Sequence, residues 1–203
     1  MQRELLQSLI KWKKNDDRKP LIIRGARQVG KTWLMKEFGN KQYKNIAYVN
    51  FETALSLHHI FESGFEVEKL IMALKIETGA VIIPGETLIV LDEIQACEAA
   101  ITSLKYFQEN ANQYHIVAAG SLLGVASNKN RSFPVGKVDF LDLHPLNFSE
   151  FLLAINEPLL LELLRKNDWT LITGFKSKYI DLLKQYYYVG GMPEAVLTFI
   201  NQK

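Results

Sequence analysis

The sequence predicts a parallel α/β domain followed by an all-helical portion. Three observations carry this: five short apolar runs recur at long intervals, helical periodicity fills the gaps between them, and beyond Leu143 only helical patterns remain. Residues of about 3–13 place Leu5, Leu6, Leu9, Ile10 and Trp12 at helical spacing, and a polar turn over 15–19 separates this helix from the first run, 21–24. The other runs are 46–51, 87–91, 115–119 and 138–143, each short enough for a strand buried in a sheet. Helical patterns occupy 32–38, 67–76 and 99–108, the last with Ile101, Leu104 and Phe107 in register. His144-Pro145-Leu146-Asn147 reads as a turn, and helices are expected over 151–155, 158–165, 171–188 and 193–200. The domain boundary is therefore placed near residue 145. The last helix runs up to Asn201-Gln202-Lys203 with no termination signal, as in a fragment of a longer chain.

Composition narrows the function class mainly by exclusion. In 203 residues, 48% are hydrophobic and 23% charged, the balance of a folded globular chain. The net charge of +2 is too small to point to nucleic acid, and neither a helix-turn-helix nor a basic stripe supports a DNA-acting role. Cys97 is the single cysteine, so an internal disulfide and a thiolate metal cluster are both ruled out, and a reduced, cytoplasmic setting is expected. No apolar run approaches the roughly 18 residues that a spanning helix needs. His58 and His59 lie on an amphipathic helix without acids at metal spacing and carry no assigned role.

The chemistry is concentrated after the first run. Gly25-Ala26-Arg27-Gln28-Val29-Gly30-Lys31-Thr32 fits G-x-x-x-x-G-K-[ST], set between a strand and a helix as the pattern requires. Its glycines let the backbone curl so that successive N–H groups point at an anion, and the following helix adds its positive end. In this reading Lys31 reaches the β- and γ-phosphates of a nucleotide, and the Thr32 hydroxyl holds Mg²⁺. The run 87–91 ends in Asp92-Glu93, two carboxylates that fit a buried strand only if they emerge at its carboxyl end, where α/β sheets bind ligands. Asp92 would contact Mg²⁺ and Glu93 would orient or deprotonate the water attacking the γ-phosphate. The competing reading makes Asp92 the N-cap of the next helix.

Ser121 ends the run 115–119 after Ala119-Gly120, either as a sensor near the γ-phosphate or as an ordinary turn residue. Charge on a transferring phosphoryl group often needs an arginine, in cis or from a neighbouring subunit: Arg24 and Arg27 flank the loop, Arg131 or Lys137 is the candidate finger in trans and Arg27 a candidate contact to nucleotide or partner, against the favoured reading of solvated side chains. Gly190-Gly191-Met192-Pro193-Glu194 suits a corner between helices, with a nucleotide-sensing corner as the alternative, and Tyr186, Tyr187 and Tyr188 are expected to pack in the helical core.

Taken in order, the phosphate loop, Tyr48-Val49-Asn50-Phe51-Glu52, Leu91-Asp92-Glu93-Ile94-Gln95, Ala119-Gly120-Ser121, Phe133-Pro134-Val135-Gly136-Lys137, Pro145-Leu146-Asn147-Phe148-Ser149-Glu150-Phe151-Leu152 and Gly190-Gly191-Met192-Pro193-Glu194 resemble the AAA+ ATPases of bacteria and archaea that carry a C-terminal domain of unknown function. The resemblance implies a P-loop core over 1–145 with strand order 5-1-4-3-2, a helical lid over 146–203, and a further C-terminal domain through which a protein partner would act. It also implies ATP and Mg²⁺ as cofactors, with Lys31, Thr32, Asp92 and Glu93 matching the nucleotide site and Ser121 the sensor. A homo-oligomer is the other partner expectation, independent of the resemblance. Where the family often has Gly-Arg, this chain has Gly136-Lys137, which weakens an arginine-finger assignment there.

The expected activity is hydrolysis of ATP to ADP and phosphate to drive conformational change or assembly. A nucleotide-dependent switch with negligible turnover is the alternative. A small-molecule kinase would be harmed by a water-activating Glu93, and a DNA-acting motor has no support in the charge pattern.

Overall fold

The computed structural model describes residues 3–121, 134 and 136–202. In chain order the described elements are α1 (Leu5–Lys14), β1 (Leu21–Gly25), α2 (Lys31–Gln42), β2 (Asn45–Asn50), α3 (Leu55–Ser63), α4 (Val67–Thr78), β3 (Thr87–Asp92), α5 (Glu98–Asn110), β4 (His115–Ser121), β5 (Asp139–Asp142), α6 (Phe148–Ala154), α7 (Pro158–Lys166), α8 (Trp169–Gly174), α9 (Lys176–Val189) and α10 (Pro193–Asn201). The chain forms two compact units: one contains Leu5–Arg27 and Lys31–Leu143, and the other gathers Arg3 and Glu4, Gln28–Gly30 and the chain from His144 on.

The first unit is built on one five-stranded sheet in the order β2-β3-β4-β1-β5, with every neighbouring pair parallel. This is the 5-1-4-3-2 order that the family resemblance implies. Residues of β3 are buried throughout and those of β4 as far as Gly120, whereas β2 and β5 alternate, as central and edge strands of a covered parallel sheet should. Registers of Gly25 with Ser121 and of Asn50 with Asp92 bring the carboxyl ends of these strands to one edge of the sheet. A continuous core on this sheet includes Ile22, Val49, Phe51, Phe61, Leu74, Leu91, Ile94, Leu104 and Phe107.

Against the start of β4, the His115 ring lies edge-on to Trp12 and Tyr43, with Nδ1 2.8 Å from the Tyr43 hydroxyl. Trp12 itself donates from its indole N–H to the Lys19 carbonyl at 2.8 Å. Burial, with the nearby cations Arg18 and Lys13, lowers the pKa of His115 from 6.5 to about 4.

In the second unit, α6 starts with a capping box: the Asn147 side chain accepts from the Glu150 N–H at 2.8 Å while Glu150 Oε2 accepts from the Asn147 N–H at 3.2 Å. The other oxygen of Glu150, Oε1, accepts from Arg3 Nε at 3.1 Å and from the Glu4 N–H at 2.8 Å. Arg3 also donates from Nη1 to the Val29 carbonyl at 2.8 Å and from Nη2 to the His144 carbonyl. Around α6, Leu152 packs with Leu160, Leu161, Tyr179 and Leu182, and Phe151 with Leu146 and Val196.

Two expectations for this unit are corrected. The helix expected over 171–188 is two helices, because Trp169–Gly174 stops at a glycine and Phe175 closes its last turn before α9 begins. Of the three tyrosines only Tyr186 packs, donating to the Leu146 carbonyl at 2.8 Å between Phe148 and Phe151. Tyr187 and Tyr188 are 74% and 92% exposed, since three consecutive helical residues point about 100° apart and cannot share one face.

Two predictions follow from this packing. A Cβ on Gly191 would lie 2.2 Å from the Leu146 carbonyl oxygen, a backbone atom that cannot swing aside. Gly191→Ala is therefore expected to cost ~1–3 kcal/mol in a denaturant titration. For His115, the unfolded chain binds a proton that the folded chain refuses between pH 6.5 and about 4, so stability is lost as pH falls through that window. The loss should approach ~3 kcal/mol. His115→Asn, which keeps a nitrogen donor or acceptor near Tyr43 but cannot titrate, should flatten the slope of urea midpoint against pH.

Candidate nucleotide site

The phosphate loop leaves β1 at Gly25 and enters α2 at Lys31. Between them, Gln28 and Gly30 adopt left-handed backbone angles, with φ of 65° and 93°. Such residues turn successive N–H groups toward a common point, the geometry that gathers an anion. For Gln28 the conformation costs roughly 1–2 kcal/mol against the right-handed alternative, a strain that native structures keep at functional turns. Ala26, Arg27 and Gln28 are exposed and Val29 is buried.

Lys31 is only 6% exposed, and its Nζ donates to the carbonyls of Gly25 at 3.0 Å and Ala26 at 2.8 Å. Burial lowers its pKa, while the charges of Glu93 and Asp92 act in the opposite direction and Arg27 adds to the lowering. The ammonium group is thus held on the loop it belongs to, with two carboxylates near enough to be felt.

Thr32 follows at the start of α2, and its hydroxyl donates to Asp92 Oδ2 at 2.6 Å. Asp92 is the last residue of β3, 2% exposed, and Oδ2 also accepts from the Tyr48 hydroxyl at 3.0 Å. Tyr48 is a residue that sequence reasoning left without a role. Its role depends on strand register, which the sequence does not display: Tyr48 pairs with Val90 and Asn50 with Asp92, so Tyr48 lies on the same face of the sheet as the acid two residues farther along. Partial burial of the ring, and after it the charge of the Asp92 carboxylate, raise the pKa of Tyr48. The ammonium of Lys36 lies 4.0 Å over the same ring.

The N-cap reading of Asp92 is not what the structure contains. Cys97 stands at the N-cap of α5, and Asp92 Oδ1 accepts from the adjacent Glu93 N–H at 3.1 Å. Glu93 turns the chain out of the strand with φ of 49°, and its carboxylate accepts from Gln95 Nε2 at 2.6 Å. Gln95 in turn accepts from the backbone N–H of Ser121 at 3.3 Å.

The candidate cations separate. Arg24 makes a bidentate pair with Asp142, both contacts at 2.8 Å, and lies over the Phe140 ring. Lys137 pairs with Glu109 at 2.9 Å, and Arg27 is exposed on the loop. Arg131, with the segment around it, lies outside the described residues.

Thr32 and Asp92 present a hydroxyl and a carboxylate oxygen, the hard donors that Mg²⁺ prefers, so the donor set fits that ion rather than a thiolate- or imidazole-binding metal. Among the described residues no group of three or more His, Cys, Asp or Glu side chains could hold a metal.

Comparison with known proteins decides the family. The model of a family described as an AAA domain matches residues 17–152, more than half of the chain. The chain belongs to this AAA domain family. No curated protein matches it. Among solved structures, AMPPCP-bound DnaA from Aquifex aeolicus resembles the AAA domain with a TM-score of 0.53 at 12% identity, over 98% of this chain and 58% of that one. Drosophila ORC bound to DNA gives 0.50 at 19% identity, over 95% of this chain and 58% of that one. Caenorhabditis elegans PCH-2 gives 0.45 at 15% identity, over 80% and 47%. At these identities the likeness is one of fold, and the chain spans about half the length of the solved chains it matches. No helix among the described residues is long and apolar enough to cross a membrane.

The convergence on Asp92 is open to direct test. Removing the Tyr48 hydroxyl takes one of two side-chain donors from a buried carboxylate oxygen. Tyr48→Phe is expected to lower unfolding free energy by ~1–2 kcal/mol, read from urea denaturation. Thr32→Val should cost a similar amount, and the double variant less than the sum, because both act on the same oxygen.

Proposed function

We propose that this AAA domain binds Mg·ATP and hydrolyses it to ADP and phosphate, using the energy for conformational change or assembly. The observation that supports it most is the 2.6 Å hydrogen bond from Thr32 to Asp92, which joins the end of the phosphate loop to the acidic end of β3. In this reading the loop N–H groups from Gly25 to Thr32 receive the phosphates, and Lys31 moves its ammonium from the carbonyls of Gly25 and Ala26 to the β- and γ-phosphate oxygens. Thr32 and Asp92 would hold Mg²⁺, whose charge offsets that of the phosphates when bound. Glu93 accepts the proton of the attacking water, and Ser121 senses the γ-phosphate.

The fold shared with an AMPPCP-bound protein supports a nucleotide as the ligand. The division into a core over 1–145 and a helical lid over 146–203, the cytoplasmic setting suggested by the lone cysteine, and a protein partner reached through a C-terminal domain belong to the same proposal. A switch with negligible turnover uses the same binding residues and differs only in what Glu93 does.

Phosphate release from Mg·ATP, followed over a range of protein concentrations, tests the proposal. Lys31→Ala is expected to abolish nucleotide binding, and Glu93→Gln to keep ATP while losing turnover. Nucleotide affinity unchanged in Lys31→Ala would overturn the site. Wild-type phosphate release no greater than that of Glu93→Gln would make the chain a switch. A rate that rises faster than protein concentration indicates completion of the site by self-association.

A further inference from the structure

Glu93 is followed by a single turn of 3-10 helix, Ile94–Ala96, closed by the Ala96 N–H on the Glu93 carbonyl at 2.9 Å and the Cys97 N–H on the Ile94 carbonyl at 3.1 Å. Ile94 is fully buried and anchors the turn in the sheet core. The turn directs Gln95 back over the strand ends. Its Nε2 donates to Glu93 Oε2 at 2.6 Å, and its Oε1 accepts from the Ser121 N–H at 3.3 Å. The orientation of this carboxamide is dictated by its partners, because a carboxylate can only accept and a backbone N–H can only donate. Turning the amide over would forfeit both contacts at once.

We infer that Gln95 is a positioning residue that aims the Glu93 carboxylate and ties it to the last residue of β4. The inference rests on the reading of Glu93 as the base. Fixing Oε2 sets where Oε1 lies, and a base acts only when an oxygen is within hydrogen-bond reach of the proton it takes. The tether also makes that aim depend on the Ser121 backbone. A displacement at the end of β4 therefore reaches Glu93 through one side chain.

Two variants test this. Gln95→Leu removes both contacts, and Gln95→Glu keeps an acceptor for the Ser121 N–H while setting a carboxylate against Glu93. Three quantities are compared with wild type: affinity for a fluorescent ATP analogue, affinity for Mg·ADP·aluminium fluoride, which mimics the phosphoryl group under attack, and kcat with KM for ATP. Both variants are expected to keep ATP affinity and KM within about twofold while kcat and aluminium fluoride affinity fall by about tenfold or more. The affinity measurement reads the tether even if turnover is slow.

Wild-type kcat and aluminium fluoride affinity in both variants would overturn the inference, as would loss of ATP affinity in step with the melting temperature, which marks a structural role. Glu93→Gln separates the two layers. If it keeps turnover, the base reading has failed; if it loses turnover while the Gln95 variants do not, only the tether has.

Discussion

The hydrogen bond between Thr32 and Asp92 can form only because the sheet is parallel and its strands are in one register. Thr32 follows β1 and Asp92 ends β3, and β4 lies between those two strands. A shift of one residue in β3 would turn Asp92 toward the opposite face of the sheet and bring Leu91 or Glu93 into its place. The burial of β3 along its whole length prevents such a slip, since every residue of Thr87–Asp92 already faces packed atoms. Hydrophobic packing thus fixes the position of a carboxylate that packing alone would disfavour. Donors from Thr32, Tyr48 and the Glu93 backbone offset the cost of placing that charge in the interior.

A comparable economy governs the second unit. The Arg3–Glu150 pair is about 5% exposed on both sides, and such a pair is stable only when its other polar atoms are met. Here Arg3 reaches two backbone carbonyls, and Glu150 also receives the amides of Glu4 and Asn147. One side chain therefore closes the cap of α6, and the guanidinium beside it holds the Val29 carbonyl of the phosphate loop. Nothing in the local sequence around Arg3 announces this, because its partners lie up to 147 positions away.

What was legible in the sequence is whatever depends on short-range pattern. The five apolar runs and the spacing of Gly25, Gly30, Lys31 and Thr32 each obey a period or a motif, and the strand order came from resemblance to a family. Tyr48 was not legible as a partner of Asp92, because that role needs the register of β2 on β3. Gln95 was visible only as part of a motif, and its bond to Ser121 arises from a turn whose direction depends on the burial of Ile94. The division of the helix at Gly174 and the outward turn of Tyr187 and Tyr188 are likewise hidden, because apolar content alone does not say which face each residue occupies.

The acidic character of β5 has a bearing on how copies of this chain can meet. This strand is four residues long, carries Asp139 and Asp142, and among the described residues pairs only with β1. Strand addition at this margin would be confined to four residues, where Asp142 already holds Arg24 in a bidentate pair and Asp139 accepts from the Lys19 N–H. A margin this short, with its carboxylates engaged inside the chain, is a poor template for a further strand.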